Sequence, residues 1–150
     1  MRHFLILLAM MLAILSPRAV TAGPDRLSIL LGSEHNGATR DLQEVNPGIF
    51  LTWERRFNYS IGVYYNSYED ISPLVSVGYD WEVAPRLDLG AFFAVALYPG
   101  EGDEFRTSIG DVVPFIGLQA RYRNFFVQFI PADGDSVDSV FTFGLTFELD

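Results

Sequence analysis

The side chains able to do chemistry in this chain are few, and two of them could form a proton-transfer pair. Once the opening segment is set aside, His35 is the one histidine left, and imidazole is the ordinary side chain that titrates near neutrality. A hydroxyl or water nucleophile would need it as general base. The second candidate is Asn66-Ser67, followed by Tyr68, Glu69 and Asp70, where Ser67 supplies a hydroxyl that such a base could serve. Each also has an ordinary use. A lone histidine is often structural, and Asn-Ser before acids is common loop chemistry. Spacing alone does not bring them together.

The absences narrow the chemistry further. There is no cysteine, which excludes thiolate metal sites, a cysteine nucleophile and disulfides. A metal centre built on several histidines is excluded too, and neither G-x-S-x-G nor a phosphate-binding glycine loop occurs. The expectation is a site with no metal and no cofactor.

The elements that must position these residues are strands. After residue 23 there is no helical periodicity, and alternating apolar and polar residues fill about eight segments. They start at Arg26, Ile49, Tyr59, Leu74, Leu87, Val112, Phe125 and Val137. One face is greasy (Ile49, Leu51, Trp53; Tyr59, Ile61, Val63; Phe141, Phe143, Phe147), and the other is small or hydrophilic. Segments of ~10 residues with this pattern, behind an export signal, fit a transmembrane barrel whose greasy face meets lipid. The fold expected is all-β: an eight-stranded antiparallel transmembrane β-barrel with short periplasmic turns and longer extracellular loops. An even strand count lets the last strand close on the first and leaves no edge.

The opening segment reads as a cleaved signal peptide over residues 1–22. Met1-Arg2-His3 is basic, Phe4 to Leu15 is apolar, and Val20-Thr21-Ala22 is small. Twelve apolar residues fall short of the ~20 that a spanning helix needs. The barrel domain is then 23–150, exported to the outer membrane. All ten basic residues are arginine; removal of Arg2 and Arg18 leaves eight against nineteen acids, about −11. Nucleic acid is a disfavoured partner. The 15% aromatic content suits interfacial girdles.

The connections alternate in length. The short ones hold Arg55, Arg56, Arg86 and Arg123, and the long ones hold Glu101, Asp103, Glu104, Asp133 and Asp135. The expected lumen has a charged floor of Arg26, Glu54, Asp80, Asp88, Arg121 and Glu148 toward the short turns. Gln119 and Gln128 share that floor, and above it lie small and apolar residues: Leu30, Gly32, Gly62, Phe92, Ala94, Ala96 and Phe115. Opposite charges there should pair, since unpaired they cost several kcal/mol each. The apolar level either holds an acyl chain or simply fills a small barrel. Pro114 lies within the sixth strand and Pro131 ends the seventh, where each removes a ladder donor and softens the seam between them. Pro47 and Pro73 interrupt pairing near the second and fourth strands.

With these residues in view, the chain resembles the PagP-like lipid A palmitoyltransferase family from about Asp25 onward. The likeness is carried by Ser60-Ile61-Gly62-Val63-Tyr64-Tyr65-Asn66-Ser67 with Pro73, by Val77-Gly78-Tyr79-Asp80-Trp81-Glu82, and by Leu87-Asp88-Leu89-Gly90 through Val113-Pro114 to Phe129-Ile130-Pro131. It implies an outer-membrane acyltransferase that moves a palmitoyl-like chain from phospholipid to lipid A in lipopolysaccharide. It implies catalytic roles for His35 and Ser67, with Asn66 where the family has aspartate. Gly90, with Phe92 and Gly62, would line an acyl pocket, and Pro114, Pro131 and Pro47 would mark lateral lipid access. The family's clamp helix before the first strand has no counterpart in Gly23 to Asp25. Thr142-x-Gly144-x-x-Phe147-x-Leu149 resembles the signal read by the barrel assembly machinery, and a monomer is expected. A non-catalytic barrel with a structural or surface-interaction role, and a lipid hydrolase, are the other readings that the residues allow.

Overall fold

Alternation with a period of two, interrupted by turn residues, produces eight strands in the computed structural model, which describes residues 23–132 and 137–149. They are β1 (Arg26–Asn36), β2 (Gly48–Glu54), β3 (Asn58–Tyr65), β4 (Ile71–Ala84), β5 (Leu87–Leu97), β6 (Val112–Tyr122), β7 (Phe125–Pro131) and β8 (Ser139–Glu148). Each pairs antiparallel with its sequence neighbours, and β8 pairs with β1, closing the barrel. The expected closed, eight-stranded antiparallel barrel is therefore present. The signal segment 1–22 and the loop acids Asp133 and Asp135 lie outside the described residues.

The greasy face points outward. Ile61, Trp81, Ile116, Leu118 and Phe125 are all more than half exposed, and Ile49, Val63, Val75 and Phe143 nearly so. Inside, three cross-strand pairs set an aromatic ring against a glycine: Phe50 on Gly62, Phe92 on Gly117 and Phe126 on Gly144. A Cβ at Gly62 would come 2.2 Å from the Phe50 ring, and one at Gly117 would come 2.4 Å from Phe92. These glycines exist to admit rings into a narrow lumen, an arrangement that also pins register.

The charged floor forms as a connected network. Arg26 donates to Glu54 at 2.7 Å and Glu148 at 3.2 Å. Arg121 reaches Glu54 at 3.3 Å, Asp80 at 3.4 Å and Asp88 at 3.0 Å. Asn58 donates to Asp80 at 2.8 Å. Both guanidiniums are almost fully shielded, at 7% and 12% side-chain exposure, so their pairing is what makes the burial tolerable. Outside this floor Asp25 clasps Arg55 at 2.7 Å. The Glu54 backbone N–H holds the Asp25 carboxyl below the usual carboxylate range, with help from Arg55. That clasp is complete at neutral pH and is lost as pH falls through the lowered value.

One expectation about β1 fails for a clear reason. The β1–β8 register shifts between Leu30 and Gly32, so Leu31 is an extra residue. A bulge of this kind reverses the faces beyond it. Gly32 therefore stands opposite Phe143 on the outer face, not in the lumen, and a Cβ there would meet the Phe143 ring at 3.1 Å.

Replacing Arg121 with Met should leave Asp88 without its cation and Asp80 with Asn58 alone, while Arg26 keeps Glu54, and destabilise the fold by on the order of 3 kcal/mol. The urea midpoint of the refolded barrel measures this. A loss below about 1 kcal/mol would show that the floor carries little stability.

Candidate functional site

The bulge that turns Gly32 outward turns Ser33 and His35 inward. Without it His35 would share the outer face with Leu27 and Ile29. With it His35 pairs across β1–β8 with Val140, is half-buried and lines the lumen cavity. Ser67 comes from the loop 66–70 between β3 and β4. Its Oγ lies 2.8 Å from His35 Nε2. The structure thus brings the two sequence-selected residues into hydrogen-bond contact.

Three features force that meeting. The first is length: β1 runs on to Asn36, whereas β2 begins only at Gly48, leaving the upper part of β1 without a strand partner on that side. The segment 43–47 fills the gap as a strap. Ser33 N–H donates to the Glu44 carbonyl at 2.8 Å, Gln43 N–H to Ser67 at 3.1 Å and Tyr65 N–H to Pro47 at 2.9 Å. Asn46, 2% exposed, then stitches the strap down. Its side chain accepts from Ser33 Oγ and donates to the Tyr65 carbonyl at 3.1 Å and the Gln43 carbonyl at 3.2 Å. Neither Ser33 nor Asn46 is marked by residue type or spacing; the Asn46-Pro47 turn signal is the one clue in the sequence.

The third feature is Asn66 itself, fully buried. Its Oδ1 accepts from the Tyr68 N–H at 2.8 Å and the Asp70 N–H at 3.1 Å, and its Nδ2 donates to Ser72 Oγ at 2.9 Å. Such Asx geometry builds the turn that presents Ser67. These three bonds go to the loop and to Ser72 at the start of β4, and none is to the imidazole. His35 Nδ1 is buried and has no hydrogen-bond partner among the described residues.

Beneath the pair lies a cavity of about 220 Å³, reached by His35, Ser67, Phe50, Phe92, Phe126 and Gln128. Ligand pockets for drug-sized molecules run to roughly 300–1,000 Å³, so this lumen is smaller than those. Phe92 lines it. Gly62 is covered by the Phe50 ring, and Gly90 sits under Asp80, whose carboxylate a Cβ would strike at 2.0 Å. Below, the lumen turns polar through Thr52–Ser60 at 2.8 Å, Ser28–Thr146 at 3.0 Å and Gln128–Gln119 at 2.9 Å.

To one side of the cavity an aromatic cluster joins barrel to loops. Tyr64 and Tyr98 share a hydrogen bond of 2.8 Å, and Tyr98 packs on Phe105 at 4.7 Å between ring centres. Tyr68 packs on both Tyr98 and Phe105 at 6.0 Å. Arg40 lies 5.0 Å over the Tyr68 ring and reaches Glu104 at 2.7 Å, linking two long loops over the mouth. Burial pushes the Tyr68 hydroxyl above its usual value, against the pull of Arg40.

The prolines are placed as follows. The β6–β7 ladder stops at Leu118↔Phe129, and among the described residues nothing in β7 pairs with the upper part of β6, where Pro114 lies. Pro131 pairs with Ser139 of β8 on its other side. This is an unzipped seam. Pro47 instead belongs to the strap and helps close the β1–β2 side. Among the described residues no group of three or more His, Cys, Asp or Glu side chains is arranged to hold a metal ion.

No protein-family model matches the chain, and no curated protein is significantly similar to it. Geometry alone therefore carries the functional argument.

If Asn66 serves the loop, Asn66→Ala should lower stability by roughly 1–3 kcal/mol through unmet buried donors and lengthen the His35–Ser67 separation. Asn66→Asp, which keeps the acceptor, should fold nearly as well. Chemical unfolding of both variants is the measurement; equal stability of Asn66→Ala and wild type would remove this role.

Proposed function

We propose that this chain is an outer-membrane barrel, exported by a cleaved signal peptide, that transfers an acyl chain from phospholipid to lipid A or a related surface lipid. The observation that carries the reading is the 2.8 Å contact between His35 Nε2 and Ser67 Oγ above a slender lumen cavity. A base and a hydroxyl over a slot for one chain are what ester transfer requires. The exposed apolar belt favours lipid as the outer solvent, since such a surface on a monomer would aggregate in water.

The chemistry balances without any added group. His35 Nε2 takes the proton from the acceptor hydroxyl as that oxygen bonds to the ester carbonyl carbon. The Ser67 hydroxyl donates to the carbonyl oxygen as negative charge develops there. The carbon–oxygen bond to the lysophospholipid then breaks, and the leaving alkoxide recovers the proton from the imidazolium. Donor lipid would reach the slot sideways through the unzipped β6–β7 seam at Pro114 and Pro131, where backbone groups lack the partners that hydrocarbon demands.

A second reading has its own observation. Among the described residues His35 Nδ1 has no hydrogen-bond partner, so the imidazole lacks the orienting third group that a catalytic base ordinarily has. That favours a non-catalytic barrel with a structural or surface-interaction role. A hydrolase on the same pair is distinguished by its product, free fatty acid.

Refolded protein mixed with labelled phospholipid and lipid A should produce lipid A carrying one extra labelled chain. His35→Ala should reduce the rate by roughly 10²–10⁴-fold, and Ser67→Ala by about 10²-fold. Thin-layer separation of the lipids reads this out. No transfer by wild type, or transfer unchanged in His35→Ala, would leave the non-catalytic reading standing.

A further inference from the structure

Among the described residues, three arginines at the short-turn rim are paired with no acid. Arg56, Arg86 and Arg123 stand in the turns after β2, β4 and β6, are exposed, and form no ion pair among the described residues. Arg56 lies 6.0 Å over the Phe57 ring and Arg123 lies 5.4 Å over Tyr122. Two of the turns are docked on each other: Arg123 N–H donates to the Arg86 carbonyl at 3.0 Å. Both residues adopt left-handed φ, 65° and 54°, so tight turns bring the two arginines together on one rim.

The acids at this end are committed elsewhere. Asp25 holds Arg55. Glu54, Asp80, Asp88 and Glu148 face Arg26 and Arg121 in the floor. Glu82 lines the vestibule beneath that floor together with Arg56, but the two form no ion pair. Directly above the rim, on the outer wall, sit the exposed rings of Phe57, Tyr79, Trp81, Tyr122 and Phe125. Phe57 packs on Tyr79 at 6.0 Å, and Tyr79 on Trp81 at 5.0 Å. Rings of this kind settle at headgroup depth, which puts the guanidiniums at the phosphates.

We infer that the Arg86–Arg123 rim, extended by Arg56, binds the phosphates of anionic phospholipid headgroups in the leaflet it meets. This rests on the membrane-barrel reading above. Guanidinium matches phosphate oxygens in a bidentate fork, and two on docked turns can share one phosphodiester. The chain's formal charge of −9 means that long-range attraction does not bring anions here. Contact with the local cations does, and added salt should weaken it.

The test uses barrel refolded into bilayer discs of equimolar phosphatidylcholine and phosphatidylglycerol. Lipids retained after gentle release are counted by native mass spectrometry. Wild type should retain phosphatidylglycerol in excess of the disc ratio, and R86Q/R123Q should fall back to that ratio, with R56Q between them. Heat-sensitive gel mobility reports insertion separately. A chain that does not insert sinks the membrane reading and this inference together. An inserted barrel that retains lipids at the disc ratio, or a double variant with undiminished excess, overturns the inference alone. At matched ionic strength inorganic phosphate should displace the retained lipid no better than chloride; selective displacement by phosphate would assign the rim to the free ion and overturn the inference.

Discussion

Side chains along a strand alternate between faces, so one surplus residue decides on which side of a barrel wall everything beyond it lies. Here the surplus residue is Leu31. Below it β1 obeys the simple alternation, with Arg26 in the charged floor and Leu27 and Ile29 on the outer wall. Above it the order is reversed, and Ser33 and His35 look into the lumen. The contact with Ser67, the stitch to Asn46 and the cavity's polar lip all follow from that reversal. An ordinary strand would have offered the imidazole to the apolar exterior, where it would have had neither partner nor purpose.

The lumen obeys a second constraint, that of space. An eight-stranded barrel has room for side chains and little else. Ring-on-glycine pairs fill the middle level, and arginine–carboxylate pairs fill the base, leaving one narrow slot under His35 and Ser67. The two fillings do different jobs. Rings fix register by fitting only their glycine, whereas the floor fixes which charges can be buried at all, since each guanidinium is matched by more than one carboxylate.

Much of this was legible in the residues. Alternation gave the eight strands, with edges displaced by a residue or a few, and the charged floor could be drawn from inward positions alone. His35 and Ser67 stood out by elimination. What could not be read was anything depending on a count of one. The bulge at Leu31 has only Gly32 as a signal, and glycines elsewhere in these strands simply admit a ring, so alternation alone puts Gly32 on the wrong face. Nor did spacing reveal that Asn66 turns its amide into its own loop, or that Asn46 closes the wall beside β1. Both are contacts between segments, set by which backbone groups remain unpaired once the sheet has closed.

The strap at 43–47 and the gap between β6 and β7 give the wall a mechanical polarity. In a ring of eight staves, the β1–β2 seam and the β6–β7 seam are separated the short way by β7, β8 and β1. One seam is laced by side-chain and main-chain bonds that hold the reactive pair; the other has lost its lacing above Leu118. Deformation should concentrate on the unlaced seam, with the continuous β7–β8–β1 ladders standing between it and the imidazole. Compliance and precision are thus assigned to different seams of one small cylinder.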